Sequence, residues 1–418
     1  MNKKFLSENG YAKYLPYGLS LVCTLLIFSL HMSEKMDSML NENNNRISNG
    51  FLTSQIKYHK EFGPFARRPF TTWLIETTSE TFGLKLGVAF VPVNFILLFL
   101  SGILIYLLSI RLKDKRQQGL FNVVCYFLTF SILFAFFPPV FSYDEPLQYC
   151  FILLGLMAFV QKKWLFYVIF FSLALITRET TVLLLPALVV FLPGLTLDSK
   201  KGFTIDRLRL YVLIALPVVF YGIFIAIYLW KHQLVDATKT EMISRYSCFL
   251  ENFENTKNTI ESLVSFFVSL GVPLYFSLLF LSQRTPNNFQ QQFIFAFLLT
   301  ALINTPIVFL SSFARESRLF ALPLFFLWPM ASQLFGKKIK LLFSFKAYSQ
   351  MLRKWQYLLS FLVLNILNYW FCFQYYKNLG LGENTYFAEY LFLSIYIITT
   401  HVLLFQYQKK QAAPLKNI

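Results

Sequence analysis

The chain has 418 residues, 56% of them hydrophobic and only 14% charged, which excludes a soluble globular domain because too little charged surface remains to face water. The formal net charge of +17 would suit nucleic acid on a soluble protein. Here the basic residues fall in short stretches between apolar runs, the pattern of loops at a bilayer, so lipid is the expected partner and nucleic acid is not.

The runs predict an all-α polytopic membrane protein, a single transmembrane domain over 1–418 with about twelve spans, since helices satisfy every backbone polar group in lipid. In chain order they fall near 14–31, 85–110, 119–137, 147–160, 164–177, 180–193, 210–230, 263–283, 292–310, 319–335, 357–375 and 387–406. The first run is long and lacks a small-residue cleavage site before "HMSEK", so it reads as an anchor and not a cleaved signal. Cys23, Cys125, Cys150 and Cys372 lie in or beside spans and Cys248 in a loop, which gives no disulfide framework.

With the N-terminus in the cytoplasm, the basic loops 111–118, 161–164, 198–209 and 336–356 and the C-terminal tail all fall inside. That side holds 23 of the 38 Lys and Arg but only 4 of the 21 Asp and Glu, so both signs of charge support the same topology. The expected location is a bacterial inner (plasma) membrane, multi-pass, with both termini cytoplasmic. Two longer extracytoplasmic loops remain, 32–84 and 231–262. In the first, Ile47, Phe51, Leu52, Ile56 and His59 recur at helical spacing, which predicts a helix lying in the membrane surface, and "TTWLIETTSETFG" (71–83) predicts a second.

Charges then collect on the outer face. They are Asp37 and Glu42 in the first loop, Arg68 in "GPFARRPFTTW", Asp144 and Glu145 in "SYDEPLQY", Arg178 and Glu179 in the turn "TRET", and Arg315, Glu316 and Arg318 in "SSFARESRLF". Each has a bland reading. "DEP" suits a helix N-terminus, "TRET" a capped polar turn, and the arginines suit headgroup contacts. Together they suit an anionic ligand and a proton transfer, because arginine forks bind phosphate oxygens and a carboxylate within reach of a hydroxyl acts as a base. In this reading Glu179 holds Arg178 in position. His31, His59 and His232 are scattered without metal-ligand spacing, and His31 and His59 are expected at the membrane interface.

The segment 142–191, from "SYDEPLQY" through "TRETTVLLLPALVVF", resembles the central part of the GT-C superfamily of membrane glycosyltransferases. "GPFARRPFTTWL" (63–74) is similar to the close of their first outer loop, and "ARESRLFALPLFFLWP" (314–329) to their late charged turn. The resemblance implies transfer of a sugar from a polyprenyl-phosphate donor to a glycan, lipid or protein acceptor on the extracytoplasmic face, with inversion. It places the catalytic carboxylate in the first outer loop, where this chain offers Asp37 and Glu42 and reads "NENNNR" at the family's Asp. Either of these acids serves as the base, or the role has moved to Asp144; the preferred assignment makes Asp37 the base with Asp144 orienting the acceptor. Arg178 and Arg318 meet the donor phosphate, with Arg68, Arg315, Glu145, Glu179 and Glu316 around them. A divalent cation held by Asp37 and Asp144 is the one cofactor the resemblance allows. An O-antigen-type polymerase shares these features. A transporter or flippase for lipid-linked sugars is the other alternative, set against span interiors nearly free of charge.

Overall fold

The computed structural model describes residues 13–31, 49–135, 143–192, 205–282, 288–379 and 386–412. Among them every regular element is helical: α1 (Leu15–His31), α2 (Asn49–Glu61), α3 (Pro69–Phe82), α4 (Leu86–Arg111), α5 (Arg116–Phe127), α6 (Glu145–Val160), α7 (Trp164–Thr177), α8 (Ile205–Lys231), α9 (Val235–Ser244), α10 (Ser247–Phe253), α11 (Thr256–Leu281), α12 (Asn288–Ser311), α13 (Ala331–Leu342), α14 (Phe345–Leu352), α15 (Trp355–Tyr375) and α16 (Phe387–Ala412), with short turns between. Six of these, α4, α8, α11, α12, α15 and α16, contain stretches long and apolar enough to cross a bilayer, and α1, α6 and α7 are shorter apolar helices. This is a helical membrane protein. The flanks fit lipid: α8 exposes Val219, Phe220, Ile223 and Ile227, and α15 exposes Leu362, Val363 and Ile366.

Three expected spans are not continuous α-helices; the one at 180–193 is a short apolar stretch, Glu179–Phe191, in which one α turn, Leu185–Leu188, lies between two 3₁₀ segments. The one at 119–137 ends at Phe127, breaks, and resumes as a short helix, Phe130–Ala135. The one at 319–335 is a series of tight turns from Ser317 to Met330 that leads into α13. Pro323 and Pro329 each lack a backbone N–H, and the chain between them closes i→i+3 bonds instead, Leu324 N to Ala321 O at 3.0 Å and Leu327 N to Leu324 O at 2.9 Å. Irregular backbone is tolerated at such depth only inside protein. That holds here, since Phe320, Ala321, Phe325, Phe326, Trp328 and Met330 are all buried. Trp328 Nε1 donates to Thr129 Oγ1 at 2.9 Å, and Asn122 Nδ2 donates to the Pro329 carbonyl at 2.8 Å.

The same economy of space sets the central helix pairs. A Cβ on Gly155 of α6 would collide with the Phe171 ring of α7, and one on Gly102 of α4 with Ser20 Oγ and the Phe127 ring. The stretches marked as surface helices are helical over Asn49–Glu61 and Pro69–Phe82. α2 turns Leu52, Ile56 and His59 onto the core. In α11 a π turn at Phe267–Gly271 marks the stretch whose serines tie the charged turn to the bundle: Ser265 Oγ donates to the Arg315 carbonyl at 2.9 Å and Ser269 Oγ to the Ser317 carbonyl at 3.2 Å.

Candidate functional site

At one end of the bundle the chain starts and stops its helices around a shared cluster of charge. α6 begins at Glu145 with Pro146 in its first turn. Asp144 occupies the N-cap position, yet its side chain makes no cap hydrogen bond. It turns to His59, whose Nε2 donates to Oδ2 at 3.0 Å, and to Arg68, whose Nη1 is 3.7 Å from the same oxygen. The bland capping role is therefore not the one Asp144 plays. Thr72 Oγ1 lies 3.3 Å from the other ring nitrogen of His59 and 2.9 Å from the Tyr143 hydroxyl. With the Asp144 carboxylate as acceptor from His59 Nε2, two assignments satisfy the chain: a neutral His59 whose Nδ1 accepts from Thr72, or an imidazolium whose Nδ1–H donates to it.

α7 stops at Thr177 and Arg178 is extended, with φ −158° and ψ 120°. Successive side chains of an extended segment point to opposite sides. Arg178 accordingly reaches Glu145 Oε1, while Glu179 accepts from Arg68 Nε at 2.9 Å, Arg68 Nη2 at 2.5 Å and Arg67 Nη2 at 2.9 Å. The two neighbours do not hold each other as the sequence suggested. Thr181 Oγ1 ties off the break, donating to the Arg178 carbonyl at 2.9 Å, and Gln148 Nε2 donates to Thr181 Oγ1 at 2.8 Å. From the far side Arg318 also reaches Glu145 Oε1, and it donates through Nη2 to Glu316 Oε2 at 2.7 Å. Glu145 Oε2 is buried and has no hydrogen-bond partner among the described residues.

The electrostatics follow from burial. Burial opposes ionisation of Asp144, but His59 and then Arg68 and Arg178 outweigh it and hold the carboxyl below its usual range. Arg178 is held below the usual guanidinium range. Burial disfavours its charge, Glu145 offsets part of that, and Arg68 and Arg318 repel it. Burial also opposes charge on Arg318, but Glu145 and Glu316 raise it. Arg68 and Arg318 repel the charge on Arg178, so a negative group arriving beside Arg178 would favour it.

A cavity of about 550 Å³ opens on this cluster. It has three kinds of wall. The charged wall carries Arg68, Glu145, Arg178, Glu179, Glu316 and Arg318, all at helix ends. An aromatic wall carries Tyr58, Phe62 and Phe65 from the end of α2 and the turn after it. An aliphatic wall carries Val182, Leu183, Leu319 and Leu322 with Ile307 and Val308 of α12. Across the opening lie Arg245, Cys248 and Glu251 of the second long loop.

Seven of the ten residues singled out from sequence meet here: Arg68, Asp144, Glu145, Arg178, Glu179, Glu316 and Arg318. Asp144 is fully buried and lies behind Arg68, not on the cavity wall. Arg315 is exposed, its guanidinium over the Phe313 ring at 5.0 Å, and is not part of the wall. Asp37 and Glu42 lie outside the described residues. Arg67, Gln148, Arg245 and Glu251 were not singled out, and His59 was expected at the interface but is buried. The signal for His59 was its place on the stripe of Leu52 and Ile56. Asp144 Oδ2 faces an imidazole and a guanidinium, and Asp37, the other carboxylate named for a divalent cation, lies outside the described residues. Among the described residues no group of three His, Cys, Asp or Glu is arranged to hold a metal. Comparison of the chain with family models, with curated proteins and with solved structures finds no match.

Proposed function

We propose that the chain is a membrane glycosyltransferase that moves a sugar from a lipid-phosphate-linked donor to an acceptor on the extracytoplasmic face of a bacterial inner membrane, with both termini cytoplasmic. The observation that carries this reading is the cavity: one wall holds Arg178 and Arg318 either side of a single carboxylate oxygen, and another is aliphatic and continues along α12. A ligand that suits both walls has an anionic head and an apolar tail, as a polyprenyl phosphate does.

In the reaction an acceptor hydroxyl oxygen bonds to the anomeric carbon as that carbon's bond to the phosphate oxygen breaks. The electron pair leaves with the lipid phosphate, and the acceptor proton passes to a carboxylate. Arg178 and Arg318 receive the departing phosphate charge, so the leaving group needs no separate acid. The carboxylate should not be one already held by arginine, since such a group is a weak base. That sets aside Glu145, Glu179 and Glu316, and gives Asp144 the task of positioning Arg68 and His59. Asp37 is the proposed base and Glu42 the second candidate in its loop.

The test is transfer by the purified chain in liposomes, using a radiolabelled prenyl-phosphate-linked sugar and a panel of glycan and lipid acceptors. Labelled product that appears with wild type and vanishes with Arg178→Ala and Arg318→Ala supports the reading. Movement of the intact donor across the bilayer without any bond cleavage would replace it with a transporter.

A further inference from the structure

The aromatic wall is built differently from the other two. Tyr58 and Phe62 lie face to face, with ring centroids 5.1 Å apart and planes 13° apart, and Phe65 meets them at an angle. Phe65 is used up inside: its ring stacks on His59 at 5.2 Å, and the Arg68 guanidinium lies over it at 5.6 Å. Tyr58 and Phe62 are 38% and 42% exposed, on the cavity. The segment is braced from behind by Tyr228 of α8, whose hydroxyl donates to the Ala66 carbonyl at 3.0 Å.

An aliphatic tail needs no such surface, because Ile307, Val308, Val182 and Leu183 already offer one on the spanning side of the same cavity. An aromatic face differs from those side chains in its negative π-cloud, which attracts polarised C–H groups. A sugar ring presents a row of such C–H groups on one face and hydroxyls at its edge. Groups that suit hydroxyls share the cavity with the two rings: Gln148, Glu179, Arg245 and Glu251.

We propose that Tyr58 and Phe62 form the platform on which a sugar ring docks, its C–H face against the aromatic pair and its hydroxyls toward the polar groups of the cavity. This rests on the lipid-linked-sugar reading above and adds the residues that hold the ring. The ring belongs either to the donor or to the acceptor, and the two are separable by the ligand used.

The experiment measures binding to the purified chain in nanodiscs with three probes: farnesyl phosphate, farnesyl-phosphoryl-glucose, and a panel of lipid-free glycosides that includes maltotriose. It compares wild type, Tyr58→Ala with Phe62→Ala, and Tyr58→Phe with Phe62→Tyr, thermal unfolding showing that each folds. Farnesyl phosphate should bind all three proteins alike, and a sugar-bearing probe should bind the double alanine variant about tenfold more weakly, with the aromatic exchange restoring it. Loss confined to the farnesyl-phosphoryl sugar assigns the platform to the donor, and loss confined to the glycosides assigns it to the acceptor. The proposal is overturned if every sugar probe binds the double alanine variant as it binds wild type, if farnesyl phosphate weakens equally, or if no sugar probe binds wild type. Glycoside binding that depends on the two rings, with neither farnesyl ligand bound, keeps the platform and overturns the lipid-donor reading instead.

Discussion

His59 and Asp144 are 85 positions apart in sequence and in hydrogen-bond contact, Nε2 3.0 Å from Oδ2, both out of reach of solvent. The contact joins α2, which follows the first span, to the start of α6. It also fixes the Arg68 guanidinium, which lies 3.7 Å from the same oxygen and carries Glu179 on its other edge. A buried carboxylate thus orients an arginine of the cavity wall without reaching the cavity itself.

Removing that carboxylate should cost stability first. Asp144→Ala leaves Arg68 and His59 in a buried site short of one negative charge, a loss of roughly 3–5 kcal/mol for breaking one side of such a pair. The folded-state pKa of Asp144 is depressed, so its contribution is present above the unfolded value near about 3.9 and disappears as pH falls through the lower folded value. Thermal unfolding in detergent should show the variant well below wild type at pH 7. The gap should begin to narrow as pH falls below about 4 and close only as pH passes the lower folded value, where wild type loses the same charge. A gap of constant size from pH 7 to pH 3 would remove the ion-pair account.

Arg178 and Arg318 converge on one oxygen of Glu145, so they should act as a unit. Arg178→Ala and Arg318→Ala are each expected to lower transfer by roughly 100-fold, the cost of losing one donor aimed at developing charge. The double variant should be hardly worse than either, because groups that share a partner are not additive. Arg178→Lys should recover little, since a point charge does not reproduce the fork. Kinetics in liposomes with matched protein levels check this, and strict multiplication of the two single losses would show that the arginines work apart.

Periodicity and charge made part of this legible. The stripe of Leu52 and Ile56 marked a helix but assigned its apolar face to the membrane surface, whereas α2 turns it onto the core; the apolar runs gave the long helices, and the charges of "DEP", "TRET" and "ARESR" pointed to one end of the bundle. What failed has particular causes. The run at 319–335 is as apolar as a span, but its prolines and its burial among other helices make it a chain of tight turns, and hydropathy does not separate lipid from protein surroundings. Arg178 and Glu179 looked like a pair because they adjoin. The extended residue between two helices, which sends them opposite ways, leaves no mark on composition. Glu251 and Arg245 carried no motif and reach the cavity only through the packing of α9 and α10.

Cys248 offers a native reporter of sidedness and of the cavity. It lies on the cavity wall and is half-buried, and burial, then Glu251, pushes its thiol above the usual range, so labelling should be slow at neutral pH and faster near pH 9. A membrane-impermeant maleimide added to intact cells should label Cys248, while Lys354→Cys, in a basic loop, should label only after permeabilisation. Bound farnesyl phosphate should slow Cys248 labelling several-fold. The reverse pattern of sidedness would invert the topology and with it the side on which transfer occurs.

If the chain is the transferase proposed above, it needs a base, and the arginine pairing narrows the choice. Glu145, Glu179 and Glu316 are each engaged by at least one guanidinium, and Asp144 is turned away behind Arg68. Among the described residues Glu251 is the acid on the cavity wall that has no ion pair, and it is exposed. The first outer loop adds Asp37 and Glu42. A base must take the acceptor proton as the new bond forms, and losing it leaves donor binding intact while slowing the chemical step, typically by roughly 10²–10⁴-fold. Asp37→Asn is therefore expected to bind farnesyl-phosphoryl-glucose as wild type does and to transfer it at least about 100-fold more slowly, with Glu42→Gln and Glu251→Gln close to wild type. The same loss in Glu251→Gln with Asp37→Asn active would move the base to the second loop. Activity in all three would mean that none of these three acids serves as base, and that the proton leaves through Glu179 or Glu316 once the ligand has drawn their arginines away.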